Sequence, residues 1–265
     1  MEITGVILRL LVVSAVSVVL SVLAMLVVKW TGTDLKDMRQ RTRPHVLAIA
    51  ALFNLLFILA VALILKFWDH EPVRVLGFSL DGNGLVFSLA ILFMSVVLAL
   101  IFIWILHAGK VIRIRRFPVL DLKGSLPVGA LLGFLVLFIA ALQEEILFRG
   151  YFSFALRPYG FWYGLVISSI VFTLWHFLTN KAGIFQTLDW LLGGVMLFYI
   201  YWLSGSIWVA ALVHFSRNFT NVLVFNISGS NSLVSFEQPV SPSFKTLFTV
   251  MYSILIMGFG YFYFG

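Results

Sequence analysis

The residues best suited to chemistry lie in the segment "IAALQEEILFRGYF", where two adjacent glutamates and an arginine interrupt an apolar run. Residues four apart share one face of a helix, so Glu145 faces Arg149 and the two can form an ion pair. Glu144 lies about 100° further around the helix and has no comparable local partner. The spacing therefore predicts a structural pair, Glu145 with Arg149, and a second carboxylate, Glu144, that is available for catalysis.

Two further apolar segments carry polar groups at helical spacing. His176 ends the segment "VFTLWH", one turn after Phe172, and His214 lies one turn before Asn218 in "HFSRN". An ionised side chain near the centre of a bilayer costs about 2.5 to 3.5 kcal/mol, so such groups need a reason to be there. We expect the three segments to line one interior site, with Phe172 packing beside it.

These residue types suit the hydrolysis of an amide bond by water. A carboxylate that is shielded from water is a stronger base, so Glu144 can take a proton from a water molecule. His176 and His214 have two alternative roles: with Glu144 they would hold a divalent metal such as zinc, or they would donate hydrogen bonds to the oxyanion. Asn218 is a good oxyanion donor, and without a metal the water would be activated by Glu144 alone.

The composition indicates the elements that must position these groups. Of 265 residues, 62% are hydrophobic and only 11% are charged, which is typical of an integral membrane protein. At about 20 residues per bilayer crossing, the apolar runs predict eight helical spans. They lie near residues 6–28, 46–66, 85–106, 128–149, 160–178, 184–203, 206–226 and 244–264. The fold class predicted is an all-α transmembrane helix bundle, a single domain over 1–265 with its catalytic core at 128–226.

The positive charge is explained by topology. The net charge is +7, and the basic residues cluster in the loops "KDMRQRTRPH" and "KVIRIRRFPVLDLK", next to apolar spans. Loops rich in Lys and Arg stay in the cytoplasm, which places the loops after spans one, three, five and seven inside and both termini outside. We therefore expect a lipid bilayer, and no nucleic acid, as the surroundings of this chain. There is no cysteine, so thiolate chemistry is absent.

Other intramembrane protease designs need residues that this chain does not have in the required pattern. No H-E-x-x-H motif is present, "SGSIW" does not match a G-x-S-x serine site, and a two-aspartate site would leave Asp189 without its partner. Asp189 is therefore interpreted as structural, and Arg217 as a side chain that snorkels or contacts phospholipid. Span four must continue past Arg149 towards Arg157 for Glu144 to reach the depth of His176.

The motifs resemble those of one known family. "EEILFR" is similar to the E-E-x-x-x-R signature, "FTLWH" to F-x-x-x-H and "HFSRN" to H-x-x-x-N of the CPBP family, also called Abi or CAAX-protease-like membrane proteins. The resemblance implies an eight-helix bundle and a relation to the Ras-converting CAAX endopeptidase. It also implies that Glu144 is the catalytic base, that His176, His214 and Asn218 complete the site, and that Glu145, Arg149 and Phe172 support it.

The function expected is that of a membrane-embedded endopeptidase in a prokaryotic cell membrane. Its substrate would be a small peptide or a membrane-anchored protein. The alternative is a non-proteolytic regulator or scaffold of the same fold, which binds a sensor kinase or a transporter. A transporter with a proton relay is a third reading. The set of Glu144, His176, His214 and Asn218 favours the enzyme, because a scaffold has no need to bury these groups.

Overall fold

The computed structural model describes residues 3–34, 40, 43–117, 128–178, 181–225 and 232–265. Helices dominate this part of the chain. They are α1 (Ile3–Trp30), α2 (Pro44–Ile64), α3 (Gly82–Ala108), α4 (Val128–Glu145), α5 (Phe152–Leu156), α6 (Phe161–Phe177), α7 (Ile184–Ser204), α8 (Ile207–Leu223) and α9 (Pro242–Phe264). A π-helical turn, Leu65–Asp69, extends α2, and a 3₁₀ turn, Val73–Leu76, precedes α3.

The predicted all-α bundle is confirmed. Among the described residues, six helical segments are long and apolar enough to cross a membrane: Ile3–Trp30, Pro44–Asp69, Gly82–Ala108, Leu131–Tyr159, Ile184–Ser204 and Pro242–Phe264. The remaining two of the eight predicted spans correspond to α6 and α8, which have 17 residues each. All eight helical segments therefore occur where the apolar runs predicted them, and six of them have the length and composition of a full span.

The fourth span has an interruption that positions the site. After α4 ends at Glu145, the chain forms a π-helical turn, Ile146–Tyr151, and continues through α5 into a 3₁₀ turn, Arg157–Tyr159. This confirms that the span continues past Arg149 towards Arg157. The extra residue per turn in a π-helix weakens the regular backbone pairing. The Ser168 hydroxyl of α6 compensates by donating to the Phe148 carbonyl oxygen at 2.8 Å.

Small residues allow the helices around the site to approach closely. Gly194 of α7 lies against Ser169 of α6, where an added Cβ would come within 3.2 Å of the Ser169 backbone. Gly150, in the π-helical turn, packs in the same way against Ile207 at the start of α8. Close helix contacts through Gly and Ser are the usual packing mode in membranes, where no hydrophobic force pulls helices together. As a result, α4, α6, α7 and α8 meet around one region of the bundle.

A short antiparallel pairing closes one end of the bundle. Strand β1 (Ile114–Arg116) follows α3, and strand β2 (Ser235–Phe236) precedes α9. The loops after the third and seventh spans therefore lie together, as expected for loops on the same membrane side. Parts of the two basic loops, 35–39, 41–42 and 118–127, lie outside the described residues, as does the end of the predicted core at 226. The prediction that both termini lie outside the cell stays a prediction.

Candidate active site

Glu145 is the centre of a buried polar cluster. Its side chain is fully enclosed, and Oε1 accepts a hydrogen bond from Arg149 Nη1 at 3.0 Å. The same oxygen lies 2.8 Å from Nδ1 of His214, so one carboxylate joins α4 to α8. Arg149 also donates from Nη2 to the carbonyl oxygen of Gly194 on α7, at 2.9 Å. The predicted pair of Glu145 and Arg149 is confirmed, and the bond to His214 is an addition that the helical spacing could not indicate.

The cluster fixes which nitrogen of His214 carries the proton. The ionised carboxylate of Glu145 can only accept hydrogen bonds, so Nδ1 of His214 must donate. In the neutral ring, Nε2 is then an acceptor, and it lies 3.9 Å from Oε2 of Glu144. That carboxylate oxygen is buried and has no hydrogen-bond partner in the described part of the chain. The two acceptor atoms, Nε2 of His214 and Oε2 of Glu144, are therefore too far apart for a direct hydrogen bond. A water molecule can bridge two acceptors at such a separation.

Phe172 contacts the buried arginine and both histidines. The guanidinium of Arg149 lies over the Phe172 ring, 4.5 Å from its centroid, in a cation–π contact. The ring centroids of His214 and His176 lie 5.9 Å and 4.6 Å from that of Phe172. His176 bonds through Nδ1 to the Phe172 carbonyl oxygen at 2.9 Å, and its ring packs on Trp190 of α7. Phe172 thus sets the orientation of His176 through both its ring and its backbone.

A cavity of about 100 Å³ lies beside these groups. His176, His214 and Asn218 all line it, together with Phe172, as the one-turn spacing on each helix predicted. Glu144 is not among the lining residues and meets the site through its contact with His214. The structure therefore brings the three polar residues of α6 and α8 to one space, with Glu144 at its edge.

The part of the cavity wall formed by Arg217 and Asp189 was not predicted from the sequence. Arg217 is only 9% exposed and points inward, so its interpretation as a snorkelling or lipid-contacting side chain is wrong. Its guanidinium donates to Asp189 Oδ1 of α7 at 3.4 Å, and also to Asn221 and to Thr249 of α9. Asp189 in turn accepts from the Thr249 hydroxyl and lines the cavity. One signal was available, because a buried arginine needs a counter-charge and the neighbouring span carries one acidic residue.

The structure does not bring the three predicted metal ligands together as a ligand set. No group of three or more His, Cys, Asp or Glu side chains in the described ranges is arranged to hold a metal ion. The set predicted for a divalent metal such as zinc, His176 with His214 and Glu144, is therefore not formed.

Comparison with known proteins supports the resemblance found in the motifs. Residues 126–220 match a family model described as Rce1-like, type II CAAX prenyl endopeptidase Rce1-like. This range contains all three motifs, so the resemblance to the CAAX-protease-like family is confirmed over the region that carries the site. The match supports the general function of an intramembrane protease with a peptide substrate. No curated protein and no solved structure gave a significant match to the chain.

Proposed function

From the Rce1-like match of residues 126–220, we propose that the protein is an intramembrane endopeptidase whose water nucleophile is activated by Glu144. The observation that carries this proposal is the 3.9 Å separation between Oε2 of Glu144 and Nε2 of His214, both of them hydrogen-bond acceptors. A water molecule between them would donate one hydrogen to each. Its lone pair would then point away from both acceptors and be available for attack on a carbonyl carbon.

Each polar group has a distinct task in the proposed reaction. Glu144 takes the proton as the water oxygen attacks the scissile carbonyl carbon. His214, whose tautomer is held by Glu145, orients the water and stabilises the proton transfer, as a carboxylate-bound histidine does in hydrolytic triads. The carbon–nitrogen bond then breaks, and the proton passes to the leaving amine.

The oxyanion needs donors on the other side of the carbonyl group. The side-chain amide of Asn218 donates in any protonation state, and it lines the same cavity as His176. His176 donates to the cavity when its ring is protonated, because Nδ1 is already bonded to Phe172. A preorganised donor of this kind contributes about 10²- to 10³-fold to the rate of acyl transfer. Asn218 and His176 are therefore the proposed oxyanion donors.

The position of the cavity supports entry of the substrate from the cytoplasmic side. His176 lies near the end of α6, and Arg217 and Asn221 lie in the second half of α8. The loops that follow these helices are predicted to be cytoplasmic by their place in the topology. A space of about 100 Å³ has room for a peptide group and its water but not for a whole peptide. The substrate, a small peptide or a membrane-anchored protein in a prokaryotic membrane, would therefore need the helices that line the cavity to move apart.

The test is cleavage by the purified protein in liposomes. A prenylated peptide ending in a CAAX sequence, with a fluorophore and quencher on either side of the cleaved bond, serves as the first probe, alongside an unprenylated copy. Glu144→Gln should lower turnover by about 10²- to 10⁴-fold, the range expected for a general base. The matched control is Glu237→Gln, which alters a half-exposed glutamate near β2 and should keep the rate of the wild type. Equal turnover by Glu144→Gln and Glu237→Gln would contradict the proposal.

A further inference from the structure

A second pocket lies at the opposite end of the same helices. It has a volume of about 480 Å³ and opens between the 3₁₀ turn before α3, the end of α5, the start of α6 and the end of α7. Its lining includes Gly164 at the start of α6, whereas the active-site cavity includes His176 at the end of that helix. The two positions are separated by about 18 Å along α6, at 1.5 Å per residue. The two spaces have no lining residue in common.

The second pocket carries positive charge that the protein does not neutralise. Arg74 and Arg157 both line it, and no aspartate or glutamate does. In the described ranges neither arginine takes part in an ion pair, whereas the nearby Asp69 is engaged by Arg9 at 3.1 Å and by the Tyr151 hydroxyl at 2.9 Å. Two arginines without a carboxylate partner favour an anionic ligand, and a planar guanidinium suits the oxygens of a phosphate group.

Uncharged hydrogen-bond donors also line the pocket. The hydroxyl oxygen of Ser153 is buried and has no hydrogen-bond partner in the described part of the chain. Helix α6 begins just after Gly160, which has a positive φ of 88° and provides no side-chain cap. The first N–H groups of the helix are therefore open to a ligand, and the helix dipole favours a negative one. The two arginines, the Ser153 hydroxyl and the first N–H groups of α6 therefore all favour an anionic ligand.

The wall of the pocket is built by a close contact between two turns. Gly77, with a φ of 82°, lies so close to Gly205 that any side chain would collide with the Gly205 carbonyl oxygen. The backbone N–H of Ile207 donates to the Gly77 carbonyl oxygen at 2.9 Å and fixes the two turns together. The hydroxyl of Tyr201 donates to the carbonyl oxygen of Leu76 at 3.2 Å. The position of Arg74 relative to α7 is thereby set by the backbone.

The surroundings of the pocket identify a lipid as the source of the phosphate. Trp202 lines the pocket, and Trp162 and Tyr163 are exposed at the start of α6, as expected of aromatic side chains at a membrane interface. An apolar groove of about 370 Å³ runs between α1, α5 and α6, and it shares Leu156 with the pocket. A phospholipid has both parts that this combination would hold, a charged headgroup and an acyl chain.

We propose that this second pocket binds an anionic phospholipid, whose phosphate contacts Arg74 and Arg157 and whose acyl chain lies in the groove beside α1. The two guanidinium groups would bind such a headgroup as basic pockets between transmembrane helices bind anionic lipids on the cytoplasmic side. By the predicted topology the lipid belongs to the outer leaflet, since the pocket is formed by the turns after spans two, four and six. The proposal does not depend on the endopeptidase activity, which is assigned to the other end of α6.

The test compares lipid retention by variants that each lose one positive charge. The full-length protein is purified in a mild detergent, mixed with phosphatidylglycerol or phosphatidylcholine, and the bound lipids are counted by native mass spectrometry. Arg74→Gln and Arg157→Gln should each lower the apparent affinity for phosphatidylglycerol about fivefold, from about 1 kcal/mol per basic residue. The control is Lys66→Gln, an exposed cation at the same end of the bundle that does not line the pocket. It should retain the lipid like the wild type.

Three outcomes would overturn the proposal. An equal loss in Lys66→Gln would show that the lipid responds to overall charge at this end of the bundle. Equal retention of phosphatidylcholine and phosphatidylglycerol would show that anionic charge is not recognised. Inorganic phosphate at millimolar concentration should not displace the lipid, because it cannot occupy the groove, and displacement would assign the site to a soluble phosphate. Both arginines are exposed, so the variants should fold, and their melting temperatures without added lipid check this.

Discussion

Two buried arginine–carboxylate clusters flank His214 and Asn218, and they differ in kind. The pair of Glu145 and Arg149 lies within one helical segment, is completely enclosed and holds His214 through the same carboxylate oxygen that accepts from Arg149. The cluster of Asp189 and Arg217 joins three helices, retains some exposure and forms the wall of the cavity. The first therefore resembles the support of an active site, and the second resembles a joint between helices.

The largest effect is expected from breaking the enclosed cluster. Arg149→Ala would leave the Glu145 carboxylate buried with no positive partner, and such a loss costs about 3 to 5 kcal/mol. The melting temperature of the purified protein should fall strongly, and His214 should lose its fixed orientation. A variant with the stability of the wild type would show that the buried pair does not hold the site together.

Asn218 lines the cavity but belongs to neither cluster, so its substitution should affect catalysis without affecting stability. Asn218→Ala removes a proposed oxyanion donor without removing a charge, so kcat should fall by about 10²- to 10³-fold. Its melting temperature should stay close to that of the wild type, because Asn218 is only partly buried. A loss of stability as large as that of Arg149→Ala would make Asn218 a structural residue instead.

A smaller effect is expected from the joint between helices. In Asp189→Asn, Arg217 keeps its bonds to Asn221 and Thr249, so the loss should be about 1.5 to 3 kcal/mol of stability, in the range of one charged hydrogen bond. The comparison is measured by thermal unfolding of Asp189→Asn and Arg149→Ala in the same detergent. If Asp189→Asn is the more damaging of the two, the distinction between the clusters is wrong.

The smallest effect on stability is expected at an exposed ion pair, with which the two buried clusters are compared. Arg113 and Glu237 are 3.8 Å apart, and their side chains are 80% and 52% exposed. Arg113→Ala should change stability by less than about 1 kcal/mol, because water screens such pairs. The same thermal unfolding experiment measures it, and a loss comparable to that of Asp189→Asn would mean that burial does not set the order of these effects.

The comparison also explains what could be predicted from the sequence. Apolar runs place the eight helical segments, since bilayer thickness fixes their length, and the four-residue spacing predicts the pair of Glu145 and Arg149 because both lie on one helix. The bond from Glu145 to His214 and the pairing of Asp189 with Arg217 join different helices. A periodicity within one helix carries no information on which helix lies beside it, so these contacts were missed.

The π-helical turn after Glu145 is a second feature that the sequence did not indicate. The segment "ILFRGY" has no proline and reads as an ordinary apolar helix, apart from Gly150. The turn contacts partners from elsewhere in the chain, among them the Ser168 hydroxyl and the side chain of Ile207. Local propensity cannot report such partners. The turn matters because it follows directly on Glu144 and Glu145 and carries Arg149.

The two adjacent glutamates are proposed to have different roles, with Glu144 acting on water and Glu145 holding the structure. The most direct measurement compares Glu144→Gln and Glu145→Gln for both cleavage rate and melting temperature, with a peptide that the wild-type protein cleaves. We predict that Glu144→Gln loses at least about 100-fold in rate at the stability of the wild type, whereas Glu145→Gln loses stability as well as rate. Cleavage by Glu144→Gln at a rate near that of the wild type would contradict the account.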